Sequence, residues 1–206
     1  MRRAFLPPEQ RIEMAKAGTR QAVFFELHGV LLKPWTTRED YVQPSLMDGA
    51  LEALQRLDPD QMDLFVASNQ CEVAMGTLRE RDFRKMQDAL LEIFREHRIP
   101  IRKIYTCLYH PKGKGKWKKE SVFRKPNIGM FKMAEHEFDL NLRRSWAICE
   151  STSDILAGSR AGLGTILLRT GQAGQDKTYD VQAHFTVDDV YAATDHIAQY
   201  EASMLR

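Results

Sequence analysis

Short runs of apolar residues alternate along the chain with longer stretches in which apolar residues recur every three or four positions. The short runs, at 22–25, 63–67, 101–107, 146–149, 165–169 and 183–186, predict buried strands. The longer stretches, at 47–56, 79–97, 129–138, 153–161 and 187–200, predict helices. In the second of these, Leu90, Ile93, Phe94 and His97 fall on one helical face. Strand and helix taking turns in this way predicts a Rossmann-like α/β fold, a parallel sheet with helices on both faces. Such a sheet places ligand sites at the carboxyl ends of its strands, near the point where the strand order reverses. One segment breaks the alternation. Residues 110–126, HPKGKGKWKKESVFRKP, read as a long exposed loop, and long loops in compact domains are often functional.

Composition changes this picture only at its edges. With 206 residues, 43% hydrophobic and 28% charged, the chain is expected to form one globular domain over 1–206. No apolar run approaches the roughly 18–20 residues that span a bilayer, so no membrane partner is expected. The start, MRRAFLPPEQ, lacks the apolar stretch of a signal peptide. Cys71, Cys107 and Cys149 are too few and too scattered for a disulfide framework, and the compartment expected is the cytoplasm. A net charge of +2 makes no case for nucleic acid, nor does any periodic or aromatic pattern. The charge is uneven, however. Five lysines between Lys112 and Lys119, with Trp117 among them, offer a contact for a polyanion or an acidic protein, or form a solvated loop.

The chemistry lies at the predicted strand ends. The first strand runs into Glu26, then His28 and Gly29. The second ends on Ser68-Asn69-Gln70, a hydroxyl and two amides, and a hydroxyl with neighbouring backbone amides can hold a phosphate oxygen. Arg124 and Lys125 lead into a helix and supply cations for the same anion. The fourth strand ends at Cys149-Glu150, with Asp154 four residues on. Acid, hydroxyl, cation and acid pair form a parts list for phosphoryl transfer through a carboxylate nucleophile. Glu26, Glu150 and Asp154 also offer the hard oxygen ligands that magnesium prefers.

These segments resemble, in order, the four motifs of the haloacid dehalogenase superfamily, and in particular its branch of heptose bisphosphate and histidinol phosphatases. ELHGV stands where that branch has D-x-D-G, and Ser68-Asn69-Gln70-Cys71 is similar to TNQS. Phe123-Arg124-Lys125-Pro126 is similar to C-R-K-P, and ICESTSD is similar to VGD-x-x-x-D. Ala161-Gly162-Leu163-Gly164-Thr165 and LLRTG extend the likeness, which covers about residues 20–190. It implies a haloacid dehalogenase-like fold with little or no cap, the 107–126 loop covering the site. It also implies a pocket in which Ser68, Asn69, Arg124 and Lys125 bind phosphate. Glu26, Glu150, Asp154 and the His28 backbone carbonyl would hold Mg2+.

The departures fall on the reacting atoms. Glu26 replaces the family's nucleophilic aspartate, His28 its acid/base aspartate, and Glu150 a metal-binding aspartate. A glutamate carboxylate sits about 1.5 Å farther out, and a misplacement of about 1 Å costs on the order of a hundredfold in rate. The expected protein is therefore a divergent phosphatase-like one whose hydrolysis of phosphate monoesters is lost or weakened. Its expected partner is a small phosphorylated metabolite or another protein. The alternatives are an active Mg2+-dependent phosphatase on a small sugar or amino-alcohol phosphate, and an interaction module using the lysine loop. The branch's zinc loop keeps Cys107, but Tyr109, Ser121 and Phe123 stand where its other ligands fall, so no zinc is expected.

Overall fold

The computed structural model describes residues 20–35 and 43–204; the MRRAFLPPEQ start lies outside them. Six strands form one parallel sheet: β1 Gln21–Phe25, β2 Met62–Asn69, β3 Ile101–Cys107, β4 Trp146–Cys149, β5 Gly164–Leu168 and β6 Phe185–Val187. Their spatial order is β3-β2-β1-β4-β5-β6, so the chain leaves β1 in one direction and returns at β4 on its other side. That reversal puts the switch point beside the carboxyl end of β1. The helices are α1 Ala50–Gln55, α2 Cys71–Met75, α3 Glu80–Glu96, α4 Gly129–Phe138, α5 Thr152–Ala161 and α6 Val190–Met204.

β1 shows why the sheet is covered on both sides. All five of its residues are buried, and successive side chains point to opposite faces. Val23 and Phe25 join Leu64 and Val66 in a core with Leu54, Phe83, Leu90 and Ile197, contributed by α1, α3 and α6. Ala22 and Phe24 join Phe65 and Ala67 in a second core with Phe131 and Ile155, from α4 and α5. The Rossmann-like α/β reading thus holds.

Several boundaries move. Val187 closes β6 rather than opening the last helix, which starts at Val190. The buried face of α3 is Phe83, Met86, Gln87, Leu90 and Phe94; His97 is an exposed cap at its end. The five-residue α2 is too short to show any period and goes unpredicted. Cys71, the first residue of α2, is half-buried, while Cys107 and Cys149 are buried.

The amino end of β2 is fixed by a buried acid. Asp63 is 3% exposed and accepts from Arg20 at 2.7 and 3.0 Å and from Arg102 at 2.7 Å, joining the first, second and third strand regions. Asp63→Ala is expected to cost about 1–3 kcal/mol in a urea titration, because charge-assisted bonds are lost while both arginines can turn to water.

Candidate active site

Glu26 comes directly after β1 and is 7% exposed. Ser68, in β2, is fully buried, and its hydroxyl donates to Glu26 Oε1, which also accepts from the Leu27 N–H at 2.9 Å. The Lys125 ammonium donates to Glu26 Oε2, to the Ala67 carbonyl at 2.7 Å, and to Asp154 Oδ1 at 2.6 Å. An ammonium carries three N–H donors, and these three contacts use them all. The cavity bordered by Glu26, Lys125 and Asp154 measures about 10 Å³, room for about one water.

Asp154 owes its place to the start of α5. Ser151 and Asp154 form a reciprocal cap, with Asp154 Oδ2 accepting from the Ser151 N–H at 3.0 Å and the Ser151 hydroxyl at 2.8 Å. Asn69 positions the lysine. Its amide donates to the Lys125 carbonyl and its oxygen accepts from the Lys125 N–H, both at 3.0 Å. Sequence spacing had grouped Asn69 with the phosphate ligands, but its side chain is spent on this backbone pair. Arg124 also lies off the cluster, where its guanidinium reaches the Tyr109 carbonyl at 3.5 Å. Gln70, named in the sequence only beside Ser68 and Asn69, is fully buried and donates to the Ser68 hydroxyl at 2.7 Å.

Charge follows from burial. Burial pushes the Glu26 carboxyl up to about 8, reinforced by Asp154 and opposed by Lys125. Burial also works against charge on Asp154, but Lys125 and the Ser151 donors hold that carboxyl below its usual range. Lys125, despite its own burial, keeps its proton more firmly than usual between Asp154 and Glu26. The cluster is thus a Lys125–Asp154 ion pair beside a carboxyl that tends to stay protonated.

His28 sits one turn further on, with its ring edge-on to Trp35 at a centroid distance of 4.1 Å. Both ring nitrogens are buried and lack a hydrogen-bond partner among the described residues. Burial pushes the imidazole down to about 4, so it is neutral at pH 7. An unfolded histidine gains its proton near pH 6.5 and the folded one only near 4. Folded stability is therefore full above 6.5 and is lost as pH falls toward 4, by up to about 3 kcal/mol from this group. His28→Asn is expected to flatten that part of the acid limb, read from urea titrations at pH 7.5 and 5.

Glu150 departs furthest from expectation. It follows β4, and its carboxylate accepts from the Gln172 N–H at 3.1 Å rather than from Lys125. Among the described residues no group of three or more His, Cys, Asp and Glu side chains is gathered to hold a metal ion. The donor types suit magnesium, but the arrangement does not. Both Glu26 oxygens are engaged, and the Glu150 carboxylate is bonded to the Gln172 N–H and packed against Gly29 and Gly171. The predicted set of Glu26, His28, Glu150 and Asp154 is therefore not assembled in this form.

The 107–126 loop is ordered by contacts rather than extended. Tyr109 and Trp117 pack at a ring distance of 5.3 Å, His110 pairs with Lys118, and the Lys114 N–H donates to the Ala74 carbonyl at 2.8 Å on α2. Lys112, Lys114, Lys116, Lys118 and Lys119 are all exposed.

The parallel sheet thus carries an acid, a hydroxyl, a lysine and a capped second acid at its switch point, where the resemblance to the haloacid dehalogenase motifs leads one to expect them. The family model described as "HAD-hyrolase-like" matches residues 122–193. The chain is 42% identical over 121 residues to D-glycero-alpha-D-manno-heptose-1,7-bisphosphate 7-phosphatase of Burkholderia mallei, covering 58% of this chain and 61% of that protein. It is 37% identical over 121 residues to the enzyme of the same name from Campylobacter jejuni, covering 59% and 66%. The chain thus spans just under two thirds of the length of each of these curated relatives. The crystal structure of D,D-heptose 1,7-bisphosphate phosphatase from B. bronchiseptica, complexed with magnesium and phosphate, superposes with a TM-score of 0.74 at 19% identity, covering 87% of this chain and 99% of that one. The chain is similar to haloacid dehalogenase-like proteins, and among the curated relatives the similarity runs to heptose bisphosphate phosphatases.

Proposed function

We propose that this protein acts as one domain that keeps the frame of a sugar-phosphate phosphatase but has lost, or strongly weakened, phosphate-monoester hydrolysis. The observation that carries the reading is the closed cluster itself. Glu26, in the nucleophile's place, has both oxygens engaged, and Lys125 has no N–H donor left for a phosphate. A phosphate entering there must draw a Lys125 N–H away from the Ala67 carbonyl that accepts it. A neutral imidazole at His28 has a proton to give, but from a ring wedged against Trp35 rather than from a mobile carboxyl. The ligand proposed is a small phosphorylated metabolite of the kind named in the relatives, and the place of action the cytoplasm. In support, no helix among the described residues is long and apolar enough to cross a membrane, and the three cysteines are free.

A second reading, an active phosphatase, is favoured by the relatives' names and by the retained Ser68, Lys125 and Asp154 contacts. One assay separates the two. Phosphate release from p-nitrophenyl phosphate and heptose 1,7-bisphosphate is measured with Mg2+, using the wild type and Glu26→Gln. The proposal expects both at background, while wild-type turnover abolished by Glu26→Gln establishes the active phosphatase instead.

A further inference from the structure

The Glu150 side chain has a seat of its own. Gly29, in the turn after β1, and Gly171, in the loop after β5, both adopt left-handed backbone, with φ of 71° and 61°. A Cβ on either glycine would overlap Glu150 Oε2, and the two backbones approach so closely that a Cβ on Gly29 would lie 3.1 Å from Gly171 Cα. The carboxylate thus lies in a slot that only glycines can form. From there it accepts the Gln172 N–H at 3.1 Å, while the Glu150 carbonyl accepts the Gly174 N–H at 2.8 Å. Two further ties hold the same loop: the Thr170 hydroxyl donates to the Gly29 carbonyl at 2.9 Å, and Asp176 accepts the Thr152 N–H at 2.9 Å. Side-chain length explains the choice of residue. An aspartate at 150 ends about 1.5 Å short of the Gln172 N–H.

We infer that Glu150 is a positioning residue that ties the 169–176 loop to the turn carrying His28 and Gly29, and that this seat removes its carboxylate from the oxygens a magnesium ion would need. The tie fixes the wall of the site whether or not the site turns over phosphate, so its test reads the loop and the metal rather than hydrolysis. A ligand role depends on charge and tolerates aspartate; a tie depends on length and tolerates glutamine. The two roles therefore rank the variants in opposite orders.

Hydrogen exchange of the 170–176 segment is measured by mass spectrometry for the wild type, Glu150→Gln, Glu150→Asp and Gly171→Ala, with and without Mg2+, alongside calorimetric Mg2+ titration. Glu150→Gln is expected to keep the wild-type protection. Glu150→Asp and Gly171→Ala are each expected to speed exchange at Gln172 by about tenfold or more, the former by failing to reach and the latter by filling the slot. Wild-type exchange is expected not to respond to Mg2+. The inference is overturned if the wild type binds Mg2+ with an affinity that Glu150→Asp keeps and Glu150→Gln loses. It is equally overturned if neither Glu150→Asp nor Gly171→Ala changes the loop's exchange.

Discussion

Replacing Lys125 with methionine is expected to cost about 3–5 kcal/mol, because it leaves the Asp154 carboxylate buried without its cation and takes a donor from the Glu26 carboxyl. For a chain of this size that is a fall in Tm of about 6–20 °C. The side chain is 3% exposed and its ammonium joins Glu26, Asp154 and the Ala67 carbonyl, so truncation strands acceptors on three elements at once. Methionine fills similar volume, which separates the charge effect from a cavity effect. Adding Glu26→Gln removes one of the stranded carboxyls while keeping acceptors for the Ser68 hydroxyl and the Leu27 N–H. The double variant is therefore expected to recover about 1 kcal/mol or more relative to Lys125→Met, a coupling that thermal and urea unfolding would read as non-additivity. Strictly additive losses would mean that Lys125 and Glu26 do not share a bond.

The second large effect is a gain. The triple variant Glu26→Asp/His28→Asp/Glu150→Asp shortens the nucleophile position, returns a carboxyl to the acid/base position, and draws the carboxyl at 150 out of its glycine slot. It is expected to raise Mg2+-dependent phosphate release by about a hundredfold over the wild type, the rate that a misplacement of about 1 Å costs. Restoring positions 26 and 28 alone is expected to give much less, because Glu150 stays tied to Gln172. A triple variant that folds, keeps the Lys125 network and still releases nothing would show that the frame, and not only those three side chains, has drifted.

How far the sequence led can be judged from particular residues. The unbroken apolar run of β1 and the fully apolar β4 announced central parallel strands, since strands covered on both faces show no alternation. Glu26, Ser68 and Asp154 are legible because each lies at a strand end or in a first helical turn, and Lys125 because it stands in the loop leading into a helix; the four meet in one cluster. Asn69 and Arg124 were grouped with them by adjacency, yet neighbours in a loop point in different directions; one binds the lysine's backbone and the other a distant carbonyl. Glu150 is a different case. Its partners are the turn at Gly29 and the loop at Gly171 and Gln172, brought together only by the β1–β4–β5 arrangement of strands. Gly171 had been noticed only as part of LLRTG, and nothing local said that its missing side chain made room for a carboxylate. Val187 and His97 are boundary cases, where an apolar or amphipathic pattern continues past the last residue that the backbone hydrogen bonds support.

The central claim is that the carboxylate at 26 no longer attacks phosphorus, and rapid-quench mass spectrometry tests it most directly. Wild-type protein is mixed with Mg2+ and a phosphate monoester, acid-quenched from milliseconds to minutes, and its intact mass and the peptide carrying Glu26 are measured. No species heavier by one phosphoryl group is expected at any time, from p-nitrophenyl phosphate or heptose 1,7-bisphosphate alike. A phosphoryl adduct on Glu26 that forms and decays as free phosphate appears would contradict it and make this chain a working phosphatase.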